Sequence, residues 1–141
     1  MNEFHGRCHC GNMEVIFSTE KAPEDFSPRA CQCSFCRKHS TRALSDPAGH
    51  ISLSAQNPDL LERYRFGTGI TDFLVCKTCG VYVAAYMDDG DDAYANVMAS
   101  VLDDHESFPA AAAPTDYGNE DAAGKRQRRR EKWTPASLNV G

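Results

Sequence analysis

The chain has 141 residues, of which 41% are hydrophobic, and a formal net charge of −5 at pH 7. This length fits one domain, and the negative charge argues against a protein that binds nucleic acid through its overall charge. The longest apolar run, residues 81–87, is far shorter than the ~20 residues of a transmembrane helix, and residues 1–6 do not resemble a secretory signal. We therefore expect a cytoplasmic protein without membrane contact, whose thiols stay reduced.

Short strands separated by turn signals are predicted over the first hundred residues. In chain order they are a hairpin over residues 4–17 that turns at Cys10-Gly11-Asn12, then strands within residues 29–33, 50–53, 60–66, 70–75, 81–87 and 94–101. We expect the last of these to be the final core strand. A short helix over residues 35–39 is predicted, with Ser34 as its N-cap. This pattern indicates a mostly-β fold.

The composition changes after residue 108. Residues 110–124 are rich in alanine and polar residues, and a strongly basic run over residues 125–132 precedes Trp133. We interpret residues 1–108 as the main part of one domain and residues 109–141 as a C-terminal extension of the same single domain, docked through Trp133 or partly mobile. The basic run is more typical of a solvated helix face than of a nucleic-acid surface, so a nucleic-acid partner is not expected.

Seven cysteines fall into three short clusters. They are Cys8, Cys10, Cys31, Cys33, Cys36, Cys76 and Cys79. An odd number of thiols cannot pair completely as disulfides, and tight clustering is typical of metal ligands. In a cytoplasmic protein, whose thiols stay reduced, the cysteine clusters therefore predict metal sites.

The first and last clusters together supply four thiols. Cys8 and Cys10 are two residues apart, so in a strand both side chains point the same way. Cys76-Lys77-Thr78-Cys79-Gly80 has the spacing of a zinc knuckle, in which Gly80 can adopt a positive φ. Four thiolates complete a tetrahedral, closed structural zinc site. A redox dithiol at Cys76 and Cys79 is the alternative, although no βαβ pattern surrounds it.

The middle cluster, Cys31, Cys33 and Cys36, offers three thiols and leaves one ligand position open. Three protein ligands with an exchangeable fourth position are typical of a catalytic zinc. His39, three residues after Cys36, offers the alternative of a closed structural site, and crossed pairing between the clusters is a further possibility. Zinc with three thiolates is a weak Lewis acid, better suited to an incoming thiolate than to hydrolysis.

Four basic residues flank this middle cluster and can receive an anionic substrate: Arg29, Arg37, Lys38 and Arg42. The other interpretation is that they are ordinary solvated bases that offset the thiolate charge.

In this order, the clusters resemble the glutathione-dependent formaldehyde-activating enzyme family, which also includes centromere protein V. The matching segments are residues 6–11 (GRCHCG), residues 31–38 (CQCSFCRK), Tyr64 with the turn at Gly67, and residues 76–80 (CKTCG). Val75 departs from the family pattern, which often has Phe before the second knuckle. The resemblance covers about residues 4 to 103.

The resemblance implies a mostly-β, Mss4-like fold of short antiparallel strands organised around zinc, with a short helix or extension at the C-terminus. It also implies two zinc ions per chain. Cys8, Cys10, Cys76 and Cys79 would hold the structural zinc, and Cys31, Cys33 and Cys36 the catalytic zinc. The implied activity is that of a carbon–sulfur lyase, in which glutathione adds to formaldehyde and its thiolate takes the open position of the second zinc.

Two other functions stay open. One is a non-enzymatic zinc module that binds a protein or nucleic acid through the basic run. The other is a metal or redox buffer that uses the three-cysteine cluster. The thiol, the aldehyde and the oligomeric state are not predicted.

Overall fold

Strands dominate the computed structural model, which describes residues 1–139. Within that part of the chain the strands are β1 (Asn2–Arg7), β2 (Met13–Thr19), β3 (Arg29–Cys31), β4 (Ala43–Leu44), β5 (His50–Ala55), β6 (Leu61–Tyr64), β7 (Asp72–Cys76), β8 (Tyr82–Asp89), β9 (Asp92–Met98), β10 (Ala113–Thr115) and β11 (Thr134–Asn139). The α-helices are α1 (Ser34–His39) and α2 (Ala122–Lys132). Short 3₁₀ turns cover Pro23–Asp25, Pro58–Leu60, Ala99–Val101 and His105–Ser107. The predicted mostly-β fold is confirmed.

All the strands belong to one open sheet. One path runs in the order β1-β2-β5-β11-β9-β4-β3-β10, and β8, β7 and β6 continue from the other edge of β9. Most neighbours are antiparallel, while β11 with β5 and β10 with β3 are parallel. The sheet thus has two parts. One contains β1, β2 and β5, the other contains β3, β4 and β6–β10, and the two parts meet at one strand.

That meeting strand is β11, from the C-terminal segment. Residues 136–139 pair with β5, and Thr134 and Pro135 pair with Ala95 and Tyr94 of β9. The expectation that the final core strand lies within residues 94–101 is therefore wrong. A polar strand with one proline carries little hydrophobic signal, and its partners are distant in sequence, so local pattern does not reveal it.

The central strands are buried on both faces, which explains the continuous apolar run at residues 81–87. On β8, Val83, Ala84 and Tyr86 pack into the larger core cluster. Ala85 and Met87 pack into a second cluster, which also holds Cys36, Phe73, Tyr82, Met98 and Trp133. The second cluster includes one of the cysteine clusters, so the candidate site is built on that face.

Helix α1 begins one residue earlier than the sequence predicts. Its N-cap is Cys33, whose sulfur accepts a hydrogen bond from the Cys36 amide at 3.3 Å. Ser34 already lies inside the helix, so the predicted cap is wrong by one residue. The sulfur takes the role that a serine oxygen usually has at this position. Capping therefore holds two cysteines of the middle cluster side by side.

Helix α2 is capped by Asp121, whose carboxylate accepts from the Gly124 amide at 2.7 Å. At its other end, Trp133 is buried and begins the turn into β11. Within residues 1–139, no helix is both long and apolar enough to cross a membrane.

Candidate metal centres

Two connections in the sheet bring four cysteines together. Cys8 and Cys10 lie in the turn between β1 and β2, whereas Cys76 ends β7 and Cys79 lies in the turn from β7 to β8. All four sulfurs are within 4.8 Å of one another. The Cys10 sulfur is 3.7 Å from that of Cys8 and 3.5 Å from that of Cys76.

Local hydrogen bonds shape both turns. The Cys8 sulfur accepts from the Met13 amide at 3.3 Å, and the Gly80 amide donates to the Cys76 carbonyl at 2.8 Å. Gly80 has a φ of 78°, the left-handed conformation that the knuckle needs and that glycine adopts at little cost. Cys8 and Cys76 are buried, whereas Cys10 is exposed. This four-sulfur arrangement can hold a metal ion as a closed site.

A second, separate group joins Cys31, Cys33 and Cys36. Cys31 ends β3, Cys33 caps α1, and Cys36 lies within α1. Their sulfurs are also within 4.8 Å of one another. Crossed pairing between the clusters is therefore excluded. The three-cysteine cluster can hold a metal ion with fewer than four protein ligands.

His39 does not complete the three-cysteine cluster. Among residues 1–139, no histidine or carboxylate joins the group defined by the three sulfurs. The imidazole of His39 instead stacks beside Phe35, with ring centroids 4.5 Å apart, and faces Tyr82 at 5.4 Å. The geometry therefore does not support a closed site completed by His39.

The chemistry of the three sulfurs fits a bound cation. Hydrogen bonds from the Cys31 and Cys36 thiols lower the pKa of Cys33 to about 2. Contacts with the Cys31 and Cys33 sulfurs raise the pKa of Cys36, and the contact with Cys33 raises the pKa of Cys31. The Cys33 thiolate is thus stabilised by two neighbouring thiols. Its charge repels a second thiolate at this distance, so the other two thiols stay protonated. A divalent cation removes that repulsion and allows all three sulfurs to ionise.

A cavity of about 150 Å³ opens beside this cluster. All three cysteines line it, and the β-sheet side of its wall includes Phe73, Tyr82, Ala85, Asn96 and Met98. Burial and then the nearby Cys36 and Cys31 sulfurs raise the pKa of Tyr82 well above its usual value. The Tyr82 hydroxyl is therefore neutral and protonated.

Of the four basic residues that the sequence places near the middle cluster, one lines the cavity. Arg29 lines the cavity, as expected. Arg37 and Lys38 are exposed on α1, and Arg42 donates to the His105 carbonyl at 2.8 Å.

Sequence reasoning missed three cavity residues on α2: Lys125, Arg128 and Arg129. Their spacing of i, i+3 and i+4 places them on one side of a helix, and that spacing was the available signal. The other side of α2 makes ion pairs: Arg126 and Arg130 contact Asp89 at 3.4 and 2.6 Å. Helix α2 is therefore docked on the sheet, with one basic side toward the cavity.

Two cysteine clusters that could each hold a metal ion, on a mostly-β sheet and with one of them at a cavity, define a class of small cysteine-cluster proteins. Within that class, the sequence model of the glutathione-dependent formaldehyde-activating enzymes (GFA) matches residues 3–116. This chain belongs to the GFA family. No curated protein matches the sequence significantly.

A solved structure is also similar to this chain. It is the crystal structure of a Rhodobacter sphaeroides protein, a Northeast Structural Genomics target, with a TM-score of 0.59 and 25% sequence identity. The match covers 79% of this chain and 99% of that chain. Helix α2 and strand β11 lie beyond the residues that the family model matches.

Proposed function

We propose that this protein is a zinc-dependent carbon–sulfur lyase acting on the adduct of a thiol, in the first instance glutathione, with formaldehyde or a related aldehyde. The observation that carries the proposal is the three-cysteine cluster, which lacks a fourth protein ligand among residues 1–139 and lines a cavity. Membership of the GFA family supports the same chemistry.

We further propose two zinc ions per chain. Cys8, Cys10, Cys76 and Cys79 would hold a structural ion, and the three-cysteine cluster a catalytic one. A catalytic zinc bound there would act as a Lewis acid that keeps a neighbouring thiol deprotonated near neutral pH. Since all seven cysteines are free thiols, a reducing compartment such as the cytoplasm is proposed as well.

The reaction needs little beyond binding, orientation and a proton source. In the adding direction, a bond forms between the thiol sulfur and the aldehyde carbon, and the carbonyl oxygen gains a proton. The reverse reaction breaks that bond and returns the proton. Tyr82 lines the cavity and its hydroxyl is protonated, so we propose that this hydroxyl donates a hydrogen bond to the oxygen as negative charge develops. The apolar side chains of Phe73, Ala85 and Met98 keep water away.

The test is Cys33→Ser, because serine keeps the N-cap of α1 while it removes a thiolate. We expect turnover of the glutathione–formaldehyde adduct, followed by exchange NMR, to fall at least about a hundredfold, or about 2.7 kcal/mol in the barrier. The far-UV circular dichroism should stay unchanged. Ser34→Ala, at the exposed neighbouring position, is the matched control and should retain activity. Wild-type protein without turnover, or an active Cys33→Ser protein, would remove the enzyme proposal.

The competing proposal of a nucleic-acid module has less support from the geometry. Arg126 and Arg130 pair with Asp89, Arg128 pairs with Glu120, and Arg129 is buried. The basic run thus uses much of its charge within the protein. Salt-dependent binding to duplex DNA at low ionic strength would favour the module instead.

A further inference from the structure

The cavity beside the three-cysteine cluster carries more positive charge than its surroundings neutralise. Among the described residues that line it, Arg29, Lys125, Arg128 and Arg129 are basic and Asp116 is acidic. Within residues 1–139, no carboxylate lies within ion-pair distance of Arg29, Lys125 or Arg129. Buried cations without a partner are costly, so this surplus points to an anionic ligand.

Helix α2 provides an internal comparison. Arg130, on its outer side, makes a two-point ion pair with Asp89, at 2.6 and 3.1 Å. Arg128 contacts Glu120 at 2.9 Å and lies over the Tyr117 ring at 3.5 Å. Arg129, between them in sequence, has no acidic partner within residues 1–139. Arg129 is the one buried arginine of this run, and it is also the one without a carboxylate within ion-pair distance in the described part of the chain.

The geometry of Arg129 suits the capture of an anion. Arg129 is only 8% exposed. Nη1 donates to Thr71 Oγ1, and the guanidinium lies 4.3 Å from the centre of the Trp133 ring, so its plane is fixed. The buried Nε–H has no hydrogen-bond partner within the described part of the chain. Burial lowers the pKa of Arg129 to about 10, so the group stays charged at neutral pH.

Two further cavity residues have similar properties. Arg29 of β3 is held through Nη2, which donates to Ser45 Oγ and, at 3.4 Å, to Asn96 Oδ1. Thr41 is 7% exposed, and its buried hydroxyl also lacks a partner within residues 1–139. Two residues that line this cavity, Arg129 and Thr41, thus each carry a buried polar atom without a hydrogen-bond partner in the described part of the chain.

We propose that Arg129, Lys125 and Arg29 form a subsite for a carboxylate group of the thiol substrate, so that the cavity selects carboxylate-bearing thiols over neutral ones. This inference rests on the proposed function, since it assigns the substrate class of the same cavity. Three thiolates with one divalent ion would carry a single net negative charge, and together with Asp116 they would offset two of the three cations. One positive charge is left for the substrate. A guanidinium binds a carboxylate with favourable two-point geometry.

Two of the three basic groups come from α2, outside the family-matched residues 3–116. The subsite therefore assigns a specificity role to the C-terminal segment of this particular chain. Lys125 and Arg129 act here as specificity-determining residues, while the cysteines supply the reacting centre.

The test is equilibrium binding of S-methylglutathione, which lacks a free thiol and cannot react, compared with its diethyl ester. We expect the wild-type protein to bind the acid at least tenfold more tightly than the ester, measured by calorimetry. Arg129→Met should bring this ratio to within twofold of one, and Lys125→Met should reduce it at least threefold. Arg130→Met, one residue away on the outer side of α2, should keep the wild-type ratio.

Folding of each variant is checked by circular dichroism. The Lys125 side chain makes no hydrogen bond or ion pair within residues 1–139, so Lys125→Met decides the question if Arg129→Met does not fold. The proposal is overturned if the wild-type protein binds acid and ester equally or binds neither. It is also overturned if the charge-removing variants keep the ratio, or if inorganic phosphate competes as strongly as the acid.

Binding and turnover separate the two proposals. If acid-selective binding is found without turnover of the glutathione–formaldehyde adduct, the subsite stands and the lyase proposal fails. If turnover is found with equal binding of acid and ester, the lyase proposal stands and the subsite fails.

Discussion

Cys10→Ser is expected to lower the stability of the whole fold, because Cys10 belongs to the cluster that joins two distant turns. Its sulfur lies 3.5 Å from that of Cys76, although the two residues are 66 positions apart in the chain. A cross-link that closes a loop of this length lowers the entropy of the unfolded chain by about 15 cal/mol/K, or about 4 kcal/mol at 25 °C. Total stabilities are typically about 5–15 kcal/mol, so this is a large share.

The magnitude converts directly into a melting temperature. A chain of 141 residues has an unfolding entropy of about 0.3 kcal/mol/K, so a loss of 4 kcal/mol lowers Tm by about 13 °C. Since Cys10 is exposed, the serine variant leaves no cavity in the core, and the shift reports how much of the cross-link is lost with the fourth sulfur. The figure of about 13 °C applies when the metal is lost completely. Calorimetry should use a chelator concentration at which the wild-type protein keeps its metal, and excess zinc should reverse much of the shift.

Cys33→Ser is the matched control in the other cluster. Cys31 and Cys36 are close in sequence, so a cross-link between them closes a short loop worth only about 2 kcal/mol, or about 7 °C. An unchanged Tm for Cys10→Ser, at any zinc or chelator concentration, would refute the assignment of a structural metal to the four-cysteine cluster. Equal shifts for both variants would refute the loop-length argument.

Three further predictions concern the sheet and the cavity. Gly6→Ala should destabilise the protein by about 3 kcal/mol or more in urea unfolding, because the added Cβ would overlap the Val101 carbonyl. Arg130 holds the pKa of Asp89 below its usual 3.8, so Asp89 contributes stability above about pH 4 that is lost as the pH falls through its folded pKa. Asp89→Asn should therefore be less stable than wild type at pH 7, with the difference shrinking toward pH 2 in urea titrations. Ala85→Phe should fill the cavity and weaken binding of S-methylglutathione at least about tenfold in calorimetry, equal to about 1.4 kcal/mol, with little change in zinc content.

Each of these has a contradicting result. His5→Ala, on the exposed side of the same strand, should cost less than about 0.5 kcal/mol, and an equal cost for Gly6→Ala would remove the overlap argument. A difference between wild type and Asp89→Asn that grows on acidification would contradict the sign of the pKa shift. Unchanged ligand affinity in Ala85→Phe would show that the ligand binds elsewhere.

Local features of the cysteine clusters were predictable because short spacings decide them. The Cys76–Cys79 knuckle and its Gly80 are contained in five consecutive residues, and the Cys33 cap involves residues three positions apart. Local geometry of this kind depends little on the rest of the chain. The predicted N-cap of α1, Ser34, is one residue too late, since a cysteine sulfur is an unusual capping group.

The C-terminal segment was the part that local pattern described worst. Residues 134–139 carry few apolar side chains, yet β11 joins the two parts of the sheet through pairings with β5 and β9. The basic run looked like a solvated helix face, yet Arg129 is buried beside the three-cysteine cluster. Both outcomes depend on contacts between residues that are far apart in sequence.

By itself, the sequence determined the mostly-β class, the three cysteine clusters with their internal spacings, and the family. Those properties follow from spacing and residue chemistry, which are local and survive any arrangement of the chain. Only the tertiary structure decided that His39 leaves the three-cysteine cluster incomplete, and that Lys125 and Arg129 line its cavity. The direction in which a helix presents its charges depends on the surface against which it packs, and that surface exists only after strands distant in sequence have paired.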